Sequence, residues 1–134
     1  MPYVYEKVNS LEGTDKVGSH QCAVLVQWYA KVPKMKFWKQ GAIVRGSNTI
    51  IKGTAVATFV DEKYPPAAGK HHRHGHAAFY VSQDDTGVLV MDQWDDAGKP
   101  TVSSRRMAFR GKDSKGNFVD ISNNGDALYV VEEK

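Results

Sequence analysis

Two apolar segments that flank a short polar connection constrain the fold of this chain most strongly. Residues 75–82 (GHAAFYVS) and 87–94 (GVLVMDQW) are rich in β-branched and aromatic side chains, and the polar sequence QDDT joins them. A connection of this length and composition is common between the strands of a β-hairpin. The sequence therefore predicts that the two segments are adjacent antiparallel strands.

The remaining segments predict one helix and several further strands. Ser19 is a residue type that caps helices, and residues 20–30 follow it with apolar side chains and without Gly or Pro. Residues 37–50 are expected to form a loop, because two glycines interrupt them. Further strands are expected in three segments, at residues 50–60, 105–110 and 127–131. A helix followed by about five to six strands, with no helices between them, predicts an α+β fold with an antiparallel sheet.

Length and composition favour one ordinary globular domain over residues 1–134. A chain of 134 residues with 41% hydrophobic and 25% charged side chains is neither collagen-like nor disordered. Its apolar runs are far shorter than the ~20 residues that span a bilayer, so we expect no membrane segment. The net charge of +3 is spread along the chain, so we expect no nucleic-acid partner. The start, MPYVYEKVNSLEG, lacks the pattern of a secretory signal peptide, and we expect synthesis in the cytoplasm without one.

The predicted hairpin brings an imidazole close to a carboxylate. If residue 84 is its centre, His76 lies directly opposite Asp92, with Cβ atoms ~5 Å apart. A register shifted by one residue would place Gln93 there instead. We favour Asp92, because a carboxylate both fixes the imidazole tautomer and stabilises its cation, whereas an amide does only the first.

The single cysteine, Cys22, lies at the start of the predicted helix. The positive end of the helix dipole and a nearby imidazolium both favour the thiolate, which is the nucleophile. In such an arrangement Cys22 attacks a carbonyl, His76 passes the proton to the leaving amine, and Asp92 orients His76. Backbone amides at the helix start and the side chain of Gln21 are placed to donate to the oxyanion. Each residue alone has an ordinary structural interpretation, and it is their order along the chain that favours a site.

The histidine tract at residues 71–76 (HHRHGH) supports a different interpretation. Along an extended chain three of its histidines project to one side, as in His-x-His metal sites: His72, His74 and His76. Cys22 or Asp92 would then be a further ligand. The preceding Pro/Gly-rich segment and the positive charge inside the tract disfavour a specific zinc site, so we assign no metal. A metal-binding module or metalloenzyme is one alternative, and a non-catalytic cell-wall-binding domain is the other.

Five short motifs carry a resemblance to a known family. Together they resemble the papain-like peptidoglycan amidases of the CHAP and NlpC type, and in particular the small amidase effectors delivered by type VI secretion. The motifs are QCAVLV at 21–26, WKQG at 38–41, GTAVA at 53–57, GHAAFYV at 75–81 and VMDQW at 90–94.

The resemblance implies a papain-like core in which the cysteine helix packs on the sheet. It implies hydrolysis of an amide bond in the stem or cross-link peptides of peptidoglycan, without a cofactor. By the same resemblance Cys22 is the nucleophile, His76 the general base, Asp92 the third polar residue and Gln21 an oxyanion donor. It also implies export by a secretion system into the periplasm of target bacteria, and a cognate immunity protein in the producer.

Two positions depart from the pattern of the family. Thr54 stands where CHAP domains commonly have an aspartate after the equivalent glycine. The upstream tyrosine that supports the oxyanion in some NlpC-type enzymes has two candidates here, Tyr3 and Tyr5, and no motif anchors either of them.

Overall fold

The computed structural model describes residues 2–65 and 75–134, which form one α-helix and six β-strands. The described part of the chain contains no helix of the length and apolar character needed to cross a membrane. In chain order the elements are α1 (Cys22–Ala30), β1 (Trp38–Ile43), β2 (Ala55–Thr58), β3 (Ala77–Asp84), β4 (Gly87–Asp92), β5 (Ser103–Ala108) and β6 (Leu128–Glu133).

The six strands form one sheet in the order β1-β6-β2-β3-β4-β5, and every neighbouring pair is antiparallel. Helix α1 packs against β3 at the centre of this sheet. The prediction of an α+β fold with one cysteine-bearing helix on an antiparallel sheet is confirmed. The arrangement places the start of the helix beside the start of β3, where His76 lies.

Burial against the sheet holds α1, since its residues are only moderate helix formers. Leu25 and Val26 are fully buried in the core between helix and sheet. The helix begins two residues later than the predicted residue 20, because His20 has a left-handed backbone (φ 72°). Gln21, and not Ser19, is the N-cap residue, and its side chain makes no capping hydrogen bond. Cys22 is consequently the first residue of the helix.

The prediction of a loop over residues 37–50 is wrong for its first half, which contains β1. Trp38 is almost fully buried, and its Nε1 donates a hydrogen bond to the Pro33 carbonyl at 2.8 Å. Gly41, which suggested a loop, lies where a Cβ atom would come within 2.6 Å of the Val130 carbonyl oxygen. It therefore permits close contact with β6, a partner far away in the chain. The expected strand at 50–60 is shorter than predicted and reduces to β2.

The hairpin exists, but its predicted register is wrong. Its loop is the dipeptide at 85–86, and Val81 is an extra residue in β3, so that Tyr80 pairs with Val90. Continued to the end of β4, this register places Asp92 two residues away from the position opposite His76. Because side chains alternate between faces with a period of two, His76 and Asp92 still lie on the same face of the sheet. The predicted neighbours are diagonal partners across the strands.

Candidate active site

Cys22 lies at the meeting point of the helix start and the sheet. Its side chain is partly exposed, and its Sγ is surrounded by three hydrogen-bonding groups. These are the ring of His76, the backbone N–H of Ala77 and the hydroxyl of Tyr64, whose oxygen is 3.6 Å from Sγ. The thiol is therefore held between an imidazole and a phenol at the edge of the fold.

His76 directly precedes β3, and its backbone is fixed by β2. Its N–H donates to Thr58 Oγ1 at 2.9 Å, and its carbonyl accepts from the Thr58 N–H at 2.9 Å. His76 is 5% exposed, and its Nε2 lies 2.7 Å from Asp92 Oδ2. With Nε2 on the carboxylate, the other ring nitrogen is left for Cys22. The structure therefore joins Cys22, His76 and Asp92 by consecutive hydrogen bonds.

Asp92, the last residue of β4, is fully buried and lies among three basic groups. Besides His76, its Oδ2 accepts a hydrogen bond from Arg105 Nε at 2.7 Å, and its Oδ1 lies 2.8 Å from Lys99 Nζ. Burial raises the pKa of this carboxyl, but the hydrogen bond and charge of His76, with Arg105 and Lys99, lower it to about 2. The carboxylate is consequently ionised at any pH at which the fold would be used.

Arg105 connects the Asp92 carboxylate to Ser122 and Asn123, which also line the cleft. Its Nη1 donates to Asn123 Oδ1 and its Nη2 to the Ser122 carbonyl, both at 3.0 Å. The ring of Trp94 lies under the Arg105 guanidinium at 5.1 Å and under the Lys99 ammonium at 4.5 Å. Cations over an indole face are attracted to its π electrons. Trp94 thus helps to hold both cations in place around Asp92.

The charges of the site favour a thiolate and an imidazolium together. Burial raises the pKa of the Cys22 thiol, but its hydrogen bond to His76, the charge of that ring and the Tyr64 hydroxyl lower it to about 7. Burial lowers the pKa of His76, but its hydrogen bonds to Asp92 and Cys22 raise it to about 9. Between these two values the sulfur carries a negative charge and the ring a positive one, which is the state that attacks carbonyls.

Gln93, the residue that the shifted register would have placed beside His76, points elsewhere. Its Oε1 accepts from the Val17 N–H at 2.9 Å, and its Nε2 donates to the carbonyls of Val17 and Gln21 at 3.1 and 2.9 Å. These bonds tie the segment before α1 to the end of β4. Gln93 therefore fixes where Cys22 enters the site, while Asp92 is the partner of His76.

An open cleft of about 710 Å³ leads from the surface to these side chains. Gln21, the predicted oxyanion donor, is exposed in its wall. The other lining residues are Cys22, Ala23, Met35, Tyr64, Gly75, His76, Trp94, Asp95, Asp96, Arg105, Ser122 and Asn123. A larger hollow of about 1020 Å³ lies elsewhere, beside Phe59 and Phe118, and none of the predicted site residues lines it. The smaller cleft is thus the one that opens onto the thiol.

Three residues of the site were not found from the sequence: Tyr64, Lys99 and Arg105. The cations are invisible to local patterns, because they reach Asp92 only through the pairing of β5 with β4 and the turn before it. The two tyrosines named as candidates for the oxyanion, Tyr3 and Tyr5, do not line the cleft. The ring of Tyr5 packs on Tyr29 at 4.9 Å, and the Tyr3 hydroxyl hydrogen-bonds to Glu133.

Of the three histidines in the predicted His-x-His pattern, the described residues include His76. His72 and His74 lie outside the described residues, and His76 is engaged with Asp92 and Cys22. Within residues 2–65 and 75–134, no group of three or more His, Cys, Asp or Glu side chains is arranged to hold a metal ion.

Comparison with known proteins places this geometry in a family. The chain is 45% identical over 137 residues to the type VI secretion amidase effector 2 protein of Salmonella typhi, covering 98% of this chain and 100% of that protein. It is 33% identical over 128 residues to domesticated amidase effector 2 of Ixodes scapularis, covering 90% of this chain and 74% of that protein.

A solved structure agrees with these sequence relatives. The fold matches type 6 secretion amidase effector 2 (Tae2) with a TM-score of 0.87 and 41% identity, over 98% of this chain and 95% of that one. The expected resemblance to the small amidase effectors of type VI secretion is confirmed. The family model described as domesticated amidase effector 2 matches residues 4–131, and the chain belongs to that family.

Proposed function

We propose that this protein is a cysteine amidase that hydrolyses amide bonds in the stem or cross-link peptides of peptidoglycan. The observation that carries the proposal is the continuous hydrogen-bonded line from Cys22 through His76 to Asp92, at the base of an open cleft. The relatives, which are named amidase effectors, support the reaction class.

The first half of the reaction uses the thiolate and the imidazolium. The Cys22 sulfur attacks the carbonyl carbon of the scissile amide, and a carbon–sulfur bond forms while the C=O π electrons move onto oxygen. When the electrons return, the carbon–nitrogen bond breaks and His76 gives its proton to the leaving amine. The product is a thioester on Cys22, a free amine and a neutral His76.

The second half restores the enzyme with water. Neutral His76 takes a proton from a water molecule, whose oxygen attacks the thioester carbon. The carbon–sulfur bond then breaks, the acid product leaves, and the thiolate is again paired with imidazolium. Asp92 stays ionised throughout and orients the ring, because its hydrogen bond to His76, with Arg105 and Lys99, holds its pKa low.

Digestion of purified sacculi tests the proposal. The parent protein should release peptide fragments whose masses name the bond that is cut, and Cys22→Ala should release none. Ser19→Ala is the matched control, because Ser19 is an exposed small polar residue just ahead of the helix. Release of the same fragments by Cys22→Ala would contradict a cysteine mechanism.

Two further treatments separate the alternatives. Iodoacetamide should abolish the activity of the parent, and EDTA should leave it unchanged. Loss of activity with EDTA would favour the metalloenzyme. Equal binding of parent and Cys22→Ala protein to wall material, with no release from either, would favour the cell-wall-binding domain.

We further propose delivery into the periplasm of target bacteria by type VI secretion, with a cognate immunity protein in the producer. The names of the relatives support the route. Expression in a test bacterium should be toxic when the protein is directed to the periplasm and harmless in the cytoplasm, because peptidoglycan lies outside the inner membrane. Equal toxicity of Cys22→Ala in the periplasm would count against the proposal.

A further inference from the structure

The hydroxyl of Tyr64 lies at the sulfur of the proposed nucleophile. Its oxygen is 3.6 Å from Cys22 Sγ, and Tyr64 lines the same cleft as Cys22 and His76. The sulfur thus has an imidazole as one neighbour and a phenol as another. Neither the attack by Cys22 nor the proton transfers by His76 require this phenol.

The ring of Tyr64 is held rigidly by aromatic packing. It makes edge contacts with Trp38, with ring centres 4.7 Å apart, and with the buried Phe59 at 6.4 Å. Gly75 leaves the space that the ring occupies, because a Cβ atom there would come within 2.7 Å of Tyr64 Cζ. A donor whose position is fixed before reaction loses no free energy in becoming ordered during it.

The environment keeps this hydroxyl protonated. Burial raises the pKa of Tyr64 well above the usual value of 10.0, and the adjacent Cys22 sulfur raises it further. The phenol is therefore a hydrogen-bond donor over the whole range in which Cys22 is a thiolate and His76 an imidazolium. A donor that stays neutral stabilises a developing negative charge without taking part in proton transfer.

We propose that Tyr64 is a further catalytic residue, whose hydroxyl donates a hydrogen bond to the resting thiolate and then to the oxyanion of the tetrahedral intermediate. The inference rests on the proposed amidase function. As the carbon–sulfur bond forms, the negative charge moves from Sγ to the former carbonyl oxygen, and the Tyr64 hydroxyl turns to follow it. The proton stays on Tyr64, and His76 alone supplies the proton to the leaving amine.

Tyr64 is better suited to this role than Gln21, the residue predicted for it. Gln21 is exposed, so its flexible amide would have to be ordered in each turnover. Tyr64 has only two side-chain torsions, and Trp38 and Phe59 restrict both. Cys22 is the first residue of α1, so its backbone N–H is not used within the helix and would be the second donor to the same oxygen.

Tyr64→Phe tests the inference, because it removes only the hydroxyl and keeps the ring contacts. We expect kcat for amide hydrolysis to fall about 100-fold with KM nearly unchanged, which is the size of effect seen for loss of one oxyanion donor. Tyr29→Phe is the matched control, since Tyr29 is a partly buried tyrosine on α1 whose ring packs on Tyr5. It should keep the kcat of the parent, and both variants should melt at the temperature of the parent.

Alkylation by iodoacetamide separates the two roles of the hydroxyl. This reagent reacts at a saturated carbon and forms no oxyanion, so Tyr64→Phe should slow it only through a raised pKa of Cys22. We expect a loss of a few-fold at pH 7, against about 100-fold for the amide. Equal losses in both reactions would mean that the hydroxyl serves the thiolate alone, and would overturn the oxyanion role.

The outcome for the parent protein separates this inference from the function on which it rests. If the parent releases no fragments from sacculi, the proposed function fails. If the parent is active and Tyr64→Phe has the same kcat, the function stands and the inference about Tyr64 is wrong.

Discussion

Replacing Asp92 by Asn would remove the negative charge that keeps His76 protonated. The carboxylate is fully buried, 2.7 Å from His76 Nε2, and the amide would be left facing Arg105 and Lys99 without compensating their charge. Both cations would then repel a proton on His76. The pKa of the ring, about 9 in the parent, should return to its ordinary 6.5 or below.

The size of the effect on turnover follows from the two pKa values of His76, about 9 in the parent and 6.5 in the variant. A fall of ~2.5 pKa units corresponds to about 3 kcal/mol less stabilisation of the imidazolium. At pH 8 the protonated fraction of His76 would fall from about nine tenths to a few per cent, which lowers turnover about 30-fold through protonation alone. The thiol pKa should rise from about 7 toward the ordinary cysteine range, because the imidazolium is what lowers it.

The assay is the rate of iodoacetamide alkylation against pH, followed by intact mass, since the chain has a single thiol. The control is Asp126→Asn, which removes a carboxylate that pairs with Arg45 at 2.7 Å outside the cleft. In this variant the pH at which the alkylation rate is half-maximal should stay near that of the parent. An unchanged midpoint for a folded Asp92→Asn protein would refute the reasoning, because it would mean that Asp92 does not control the charge of His76.

Three other predictions follow from the same geometry. The dependence of kcat/KM on pH should be bell-shaped, with a rise near pH 7 as Cys22 loses its proton and a fall near pH 9 as His76 does; a profile flat from pH 5 to 10 would exclude the ion pair. Gly75→Ala should displace the ring of Tyr64 and lower kcat at least tenfold, measured on sacculi; parent-like kcat would show that the ring has room to move. Gln93→Ala deletes three hydrogen bonds and should lower the free energy of unfolding by about 3 kcal/mol, or Tm by roughly 10 °C in calorimetry. It should lower the turnover of the folded protein less than Asp92→Asn does. An unchanged Tm would mean that water replaces those bonds at no cost.

Local patterns in the sequence were enough to identify the parts of the fold that depend on near neighbours. The apolar run after residue 19 predicted α1, and two apolar segments around a polar connection predicted the β3–β4 hairpin. Because Cys22, His76 and Asp92 lie at the ends of these elements, their type and order pointed to one site. The predicted register was wrong, and His76 and Asp92 share a face only because the extra residue Val81 shifts the pairing by one residue.

The tertiary structure alone decided the features that depend on distant pairing. Strand β1 forms because β6 lies beside it, and its own residues, with Gly41 among them, carry no signal for that partner. The extra residue Val81 set the register, and the return of β5 brought Arg105 to Asp92. Tyr64 reaches the sulfur because Trp38 and Phe59 pack against its ring and Gly75 has no side chain to displace it. These contacts join segments that are far apart in the chain. Short-range propensity is enough to specify α1 and the β3–β4 hairpin, whereas β1 and the electrostatics of this thiol depend on residues that only the completed sheet brings together.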